Sequence, residues 1–244
     1  MLSKLYIIVP AYNEEKNIER FVNDWYPIVC ECNLNGGGIG SRLLIINDGS
    51  TDRTLEILEK CKLNRPLLEV IDKTNSGHGA TLIHGYKYAL EHGAEYIFQT
   101  DSDGQTLPEE FWKFWQLRDE YDAILGNRPV RGDGESRKFV ENTLRFILRI
   151  IFGVKVPDAN APFRLMNRAI LEKYLAKIPE NFNLPNVMLT TYFAYFSENV
   201  KFLDITFRPR QGGKNFINVR RIVKIGLRAV RDFLILRLEL KRDD

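Results

Sequence analysis

The chain is poor in the features that assign a protein at a glance. It holds only three cysteines, Cys30, Cys32 and Cys61. So sparse and odd a set excludes a disulfide scaffold, and Cys30-x-Cys32 lacks the second pair of a structural zinc site. They read as reduced thiols of a cytosolic protein. No stretch reaches the roughly 18 to 20 uninterrupted apolar residues of a membrane span. The longest candidates, around 146–154 and 233–240, are broken by Arg149 and Arg237. Met1-Leu2-Ser3-Lys4 leads straight into a strand-like run, so no cleaved signal peptide is expected. A net charge of +3 over 244 residues gives no argument for nucleic acid. Nor does a G-x-G-x-x-G follow the first apolar run, which disfavours a dinucleotide-binding dehydrogenase. A nucleotidyltransferase is disfavoured too, since no G-x-G-T-R-like loop stands there. Asn35-Gly36-Gly37-Gly38-Ile39-Gly40 is a connector, because no Lys-Ser/Thr follows it.

What is present suits one α/β domain with a large core: 44% of residues are hydrophobic and 27% charged. Leu5 to Val9, stopped by Pro10, reads as a strand buried on both faces. Asn13 is a candidate N-cap for the helix that follows, with Phe21, Val22 and Trp25 as its apolar face. Three more strand runs, 42–46, 67–71 and 95–99, alternate with helical patterns, and Ser50 or Asp52 can cap the second helix. That alternation predicts a mostly parallel sheet flanked by helices. Ligands of such sheets bind beyond the carboxyl ends of the strands. Glu14, Asp48, Asp101 and Asp103 all fall there.

Thr100-Asp101-Ser102-Asp103-Gly104-Gln105 is the stretch with the most chemistry. Two carboxylates, one residue apart, sit where a buried strand ends. Burying an ionised carboxylate without a partner costs several kcal/mol. A hard divalent cation is the natural partner, and Mg²⁺ commonly joins one or two carboxylates to substrate phosphates. Gln105 can add a carbonyl oxygen.

Four ordered motifs carry a resemblance: Val9-Pro10-Ala11-Tyr12-Asn13-Glu14-Glu15, Asn47-Asp48-Gly49-Ser50-Thr51-Asp52, Asn75-Ser76-Gly77-His78-Gly79-Ala80 and Asp101-Ser102-Asp103-Gly104-Gln105. Together they resemble the family 2 glycosyltransferases, above all the dolichol-phosphate mannose synthase and polyprenyl-phosphate glycosyltransferase branch. The resemblance implies a GT-A (Rossmann-like) fold over residues 1–216, a nucleotide-sugar donor and a Mg²⁺ or Mn²⁺ cofactor. Carried over by position, Pro10, Ala11, Tyr12, Glu14, Ile46, Asp48, Gly79, Asp101, Ser102, Asp103, Arg128, Arg210 and Lys214 would hold the donor. Asp101, Asp103 and Gln105 would hold the metal. Asp101, Asp103, Arg164 and Arg210 would carry catalysis.

The second half extends the pattern. Tyr121 to Arg128 reads as a strand, with Arg128 in the family's G-x-R position and expected on the donor diphosphate. Residues 137–152 read as a helix whose Phe146, Ile147, Ile150 and Ile151 suit either core packing or lipid. Asp158-Ala159-Asn160-Ala161-Pro162-Phe163-Arg164-Leu165 resembles D-x-x-S-G-F-R-L with Ala-Pro in place of Ser-Gly, and Arg164 would meet a phosphate. The neighbourhood expected to hold a general base, Phe182 to Thr190, contains no acid. A sugar hydroxyl attacks poorly without a base, whereas a phosphate monoester is already anionic. After a strand at 200–207, Arg208-Pro209-Arg210-Gln211-Gly212-Gly213-Lys214 resembles a basic R-x-x-G loop able to close on the diphosphate.

Residues 217–244 form a basic, amphipathic tail. Arg220, Arg221, Lys224, Arg228 and Arg231 oppose Val219, Ile222, Val223, Gly226, Ala229, Val230 and Phe233. That pattern suits an interfacial helix on anionic lipid, or equally a helix packed on the domain or a second subunit. His84 and His92 read as helix-surface groups.

The expectation is therefore an inverting glycosyltransferase, peripheral on the cytoplasmic face of a membrane. It would move a sugar from a UDP- or GDP-sugar to a polyprenyl phosphate, with no nucleic-acid partner and room for a homo-oligomer or membrane partner protein. A transferase acting on a saccharide hydroxyl in cell-surface polysaccharide synthesis is the first alternative, and a non-catalytic nucleotide-sugar binding module the second.

Overall fold

The computed structural model describes residues 3–35, 40–129, 135–208 and 219–243. Seven strands form one sheet: β1 (Leu5–Ala11), β2 (Arg42–Asp48), β3 (Leu68–Lys73), β4 (Tyr96–Gln99), β5 (Ala123–Asn127), β6 (Arg164–Asn167) and β7 (Val200–Asp204). Their order is β3-β2-β1-β4-β6-β5-β7. β6 runs antiparallel to both neighbours, and every other pair is parallel. The helices are α1 (Ile18–Asn35), α2 (Thr54–Lys62), α3 (His78–Glu91), α4 (Phe111–Trp115), α5 (Glu135–Phe152), α6 (Arg168–Leu175), α7 (Pro185–Tyr195) and α8 (Val219–Asp243).

Alternation along the strands explains the two layers. Leu5, Ile7, Val9, Leu43 and Ile45 point to one face, where Phe21 and Trp25 of α1, Leu58 of α2 and Phe111 and Phe114 of α4 cover them. Tyr6, Ile8, Leu44 and Ile46 point to the other, under α3 and α5 to α8. With both faces covered, neither β1 nor β2 can afford a polar side chain in its middle, which is why each reads as an unbroken apolar run.

Two local expectations need correction. Pro10 does not stop β1: pairing with β2 continues through Ala11. On the β4 side the pairing ends at Ile8, so the missing N–H of Pro10 costs no ladder bond there. Asn13 does not cap α1 either. It sits at φ 55°, a left-handed position that asparagine tolerates, and its Oδ1 accepts from Thr51 N at 2.8 Å. It therefore ties two loops together.

α8 packs one side on the domain. Ala229, Phe233, Leu236 and Leu240 join the core, and the Phe233 ring lies 6.3 Å from that of Phe152 and 6.4 Å from that of Phe182. Gly226, read as part of the apolar face, is exposed, as are Arg228 and Arg231. The side chains of residues 219–225 lie outside the described set. Leu234, Ile235 and Leu238 are exposed on α8, and Phe146 and Ile150 on α5. Among the described residues no helix is long and apolar enough to cross a membrane. The three cysteines are free thiols. His84 and His92 are exposed, the latter stacked on Tyr88.

Candidate active site

The loops leaving β1, β2, β3 and β4 meet at one rim of the sheet. There they enclose a cleft of about 370 Å³ lined by Pro10, Ala11, Tyr12, Glu14, Asp48, Asn75, Gly77, His78, Thr81, Asp101, Ser102 and Asp103. The convergence follows from topology, since all four strands are parallel and end on the same side. Cross-loop hydrogen bonds fix it. Asn13 N donates to Ser50 Oγ at 3.0 Å and Glu14 N to Thr54 Oγ1 at 2.8 Å. Glu15 N donates to Asp52 Oδ2 at 3.1 Å, and Ser102 Oγ to the Pro10 carbonyl at 3.0 Å. Asp52 Oδ1 also accepts from Thr54 N at 3.0 Å, but neither Ser50 nor Asp52 caps α2: the N-cap position is Arg53, which makes no side-chain cap bond.

Asp48 is heavily bonded. Its Oδ1 pairs with the Lys73 ammonium at 2.5 Å and accepts from Ser76 N at 2.9 Å, while Oδ2 accepts from Gly77 N at 2.9 Å. Burial alone would raise this carboxyl, but Lys73, the Ser76 amide and the Thr81 hydroxyl outweigh it and hold it below the usual range. Asp48 is thus an anion, an acceptor only, at neutral pH. Gly49 makes the turn possible: its φ is 65°, and a Cβ there would lie 2.7 Å from Asn75 N. Tyr12, by contrast, is 49% exposed where it lines the cleft.

Asp101 and Asp103 stand at the other end. Asp101 Oδ1 is buried and has no hydrogen-bond partner. Asp103 Oδ1 accepts from Gln105 N at 3.1 Å. Among the described residues no three His, Cys, Asp or Glu side chains gather into a ready metal cage. Two carboxylates line the cleft, one of them with a buried oxygen left without a partner, and that donor set fits a hard cation that takes its remaining oxygens from substrate phosphates and water. The donor set is right for Mg²⁺ or Mn²⁺.

Several expected site residues lie elsewhere. Gln105 is buried, and its Nε2 donates to the Arg208 carbonyl at 2.8 Å, so it anchors the chain after β7 and does not line the cleft. Ile46 belongs to the core beneath the helices. Gly79 serves close packing: a Cβ there would lie 2.2 Å from the Phe182 carbonyl oxygen and 2.6 Å from the Asn183 carbonyl carbon. Gly79→Ala is expected to cost about 1–3 kcal/mol by forcing that backbone off α3, read as a lower urea midpoint. Arg128 is spent on Asp158, Nε to Oδ2 at 2.7 Å and Nη2 to Oδ1 at 3.0 Å, and lies over the Phe207 ring. Arg164 is fully buried, and its guanidinium donates to the carbonyls of Ala161 and Asn186. Burial lowers its pKa below the usual arginine range, against the nearby Tyr86, Asp158 and Asp101. It braces the floor under Asp101 and does not reach the open cleft. Arg210 and Lys214 lie outside the described residues.

Lys73 and Thr81 were not foreseen at the cleft, and Asn75 opened one of the four motifs without being assigned a role. The first lies beyond the strand run read over 67–71, and only the parallel register of β2 and β3, with Asp48 opposite Lys73, brings it to the carboxylate.

With the geometry established, the chain can be set beside known proteins. The model for glycosyl transferase family 2 matches residues 6–175. The UDP-N-acetylglucosamine–dolichyl-phosphate N-acetylglucosaminyltransferase of Methanococcus voltae is 28% identical over 189 residues, spanning 69% of this chain and 71% of that relative. The polyprenol monophosphomannose synthase of Mycolicibacterium smegmatis is 27% identical over 176 residues, spanning 68% and 63%. S. aureus TarS in complex with UDP has a TM-score of 0.56 at 26% identity, over 82% of this chain and 57% of that one. Glucosyl-3-phosphoglycerate synthase from Mycobacterium tuberculosis, solved with Mn²⁺, UDP-glucose and phosphoglyceric acid, has a TM-score of 0.69 over 96% of this chain and 79% of that one. At 16% identity this last likeness speaks for the fold alone. The expected GT-A architecture is the one found. A family match across most of the chain, on a sheet whose acidic loops share one rim, makes this protein a glycosyltransferase and a member of glycosyl transferase family 2.

Proposed function

We propose that the protein moves a sugar from a nucleoside-diphosphate sugar to a polyprenyl phosphate with inversion at the anomeric carbon. The observation that carries this reading is the gathering of Glu14, Asp48, Asp101 and Asp103 in one cleft, with an Asp101 oxygen left unpaired. Tyr12, Glu14, Asp48 and Asn75 line the end suited to base and ribose. Asp101 and Asp103 would hold Mg²⁺ or Mn²⁺ against the donor diphosphate, where its charge stabilises the departing nucleotide. The acceptor phosphate oxygen forms a bond to the anomeric carbon as the bond to the diphosphate oxygen breaks, and the electron pair leaves with the nucleotide.

Two observations favour a phosphate acceptor. The segment 182–190 has no carboxylate, and Phe182 and Asn183 pack on the start of α3, beside His78 and Gly77 of the cleft. A phosphate monoester needs no base there. The relatives from Methanococcus and Mycolicibacterium are named for dolichyl-phosphate and polyprenol acceptors.

In this reading residues 1–216 carry catalysis and 217–244 attach the protein to the cytoplasmic face of a membrane. Exposed Leu234, Ile235 and Leu238, with exposed Arg228 and Arg231 on the same helix, support the attachment. A homo-oligomer or a membrane partner protein is the competing occupant of that surface. The test supplies labelled UDP- and GDP-sugars with either polyprenyl phosphate in anionic vesicles or an oligosaccharide. Label in the lipid phase is the expected result. Label in the oligosaccharide overturns the acceptor, and a donor bound but transferred to neither points to a silent binding module.

A further inference from the structure

The bonds around Asp48 bear on a question the motifs leave open, namely which base the cleft takes. A carboxylate has about four acceptor positions, two on each oxygen. On Oδ1, Lys73 Nζ at 2.5 Å and Ser76 N at 2.9 Å fill both. On Oδ2, Gly77 N at 2.9 Å fills one, and the Thr81 hydroxyl stands near enough to act on the same carboxylate. Lys73 is itself fully engaged, donating also to the Thr74 carbonyl at 2.9 Å, to Ser76 Oγ at 2.6 Å and, at 3.4 Å, to Thr81 Oγ1. These partners hold the ammonium in place against Asp48 Oδ1.

Guanine and uracil ask different things of such a group. Guanine presents two parallel donors, N1–H and N2–H, which a carboxylate satisfies with both oxygens at once. Uracil presents one, N3–H, between two carbonyl acceptors. We propose that this cleft selects uracil over guanine, because Lys73 and the Ser76 and Gly77 amides leave Asp48 with at most one open acceptor position. Asn75 suits the remainder of the uracil edge. It lines the same wall, and the one bond its amide makes, to the Asp48 carbonyl at 2.8 Å, leaves a second N–H to meet a base carbonyl. Lys73 is then a specificity-determining residue acting through Asp48. A guanine bound there would keep one N–H unpaired.

The inference rests on the donor reading above, and the test separates the two. Dissociation constants of UDP and GDP are measured by calorimetry on one preparation in Mn²⁺, for the wild type and for Lys73→Met. We expect the wild type to favour UDP by about tenfold or more, the effect of one unpaired buried donor. In Lys73→Met, which reopens Oδ1, that ratio should fall several-fold toward unity, and Lys73→Arg should restore it. A ratio of two constants on the same sample does not depend on how much of the variant is folded. GDP binding as tightly as UDP overturns the inference and leaves the donor reading standing. A ratio unchanged in Lys73→Met overturns the role of Lys73. Binding of neither nucleotide overturns both readings.

Discussion

Asp103→Ala is expected to lower sugar transfer by about 10³-fold or more, the scale set by removing a group that stabilises charge developing in the transition state. The same variant should lose the Mn²⁺-dependent rise in melting temperature that UDP gives the wild type, since bound ligand appears directly as stability. The fold should survive. Asp103 is half-buried in a turn, and losing its bond from Gln105 N costs about 1 kcal/mol. Asp101→Asn should fail in the same two assays, although its partner set differs. Asp101 Oδ1 is buried and unpartnered, a state that costs free energy in the metal-free protein and that a bound cation would relieve. Activity of Asp103→Ala at the wild-type level in EDTA would remove the metal from the mechanism.

The parts of this protein legible in its sequence are those governed by local pattern. β1 and β2 are covered on both faces and read as strands, and the acids that end them are placed by strand direction alone. What escaped depends on partners distant in the chain. β6 was not foreseen because Arg164-Leu165-Met166-Asn167 carries a fully buried arginine and shows no alternation. Its guanidinium is tolerated there only because the carbonyls of Ala161 and Asn186 receive it. Gly79 sits inside a glycine-rich motif, yet the space it leaves is filled by backbone a hundred residues further on. Arg128 is the sharpest case. Its position in a family motif pointed to the donor, and its geometry points to Asp158.

That pair makes the second large prediction. The side chains of Arg128 and Asp158 are only 7% and 1% exposed and are joined by two hydrogen bonds, and Arg164 lies close enough for Asp158 to act on it as well. Asp158→Ala therefore leaves two guanidinium groups in a dry region without their shared carboxylate. Breaking a buried pair by removing one partner costs about 3–5 kcal/mol, against the small cost of replacing both partners by apolar groups. For a chain of this length that is a fall of about 10 °C or more in melting temperature. The double variant Arg128→Met with Asp158→Leu should recover more than half of the loss. It also separates structure from catalysis. If Arg128 is spent on Asp158, as its geometry indicates, the folded double variant keeps a donor affinity close to that of the wild type. A double variant that folds but no longer binds the nucleotide would return Arg128 to the donor site, with Asp158 as the group that aims it.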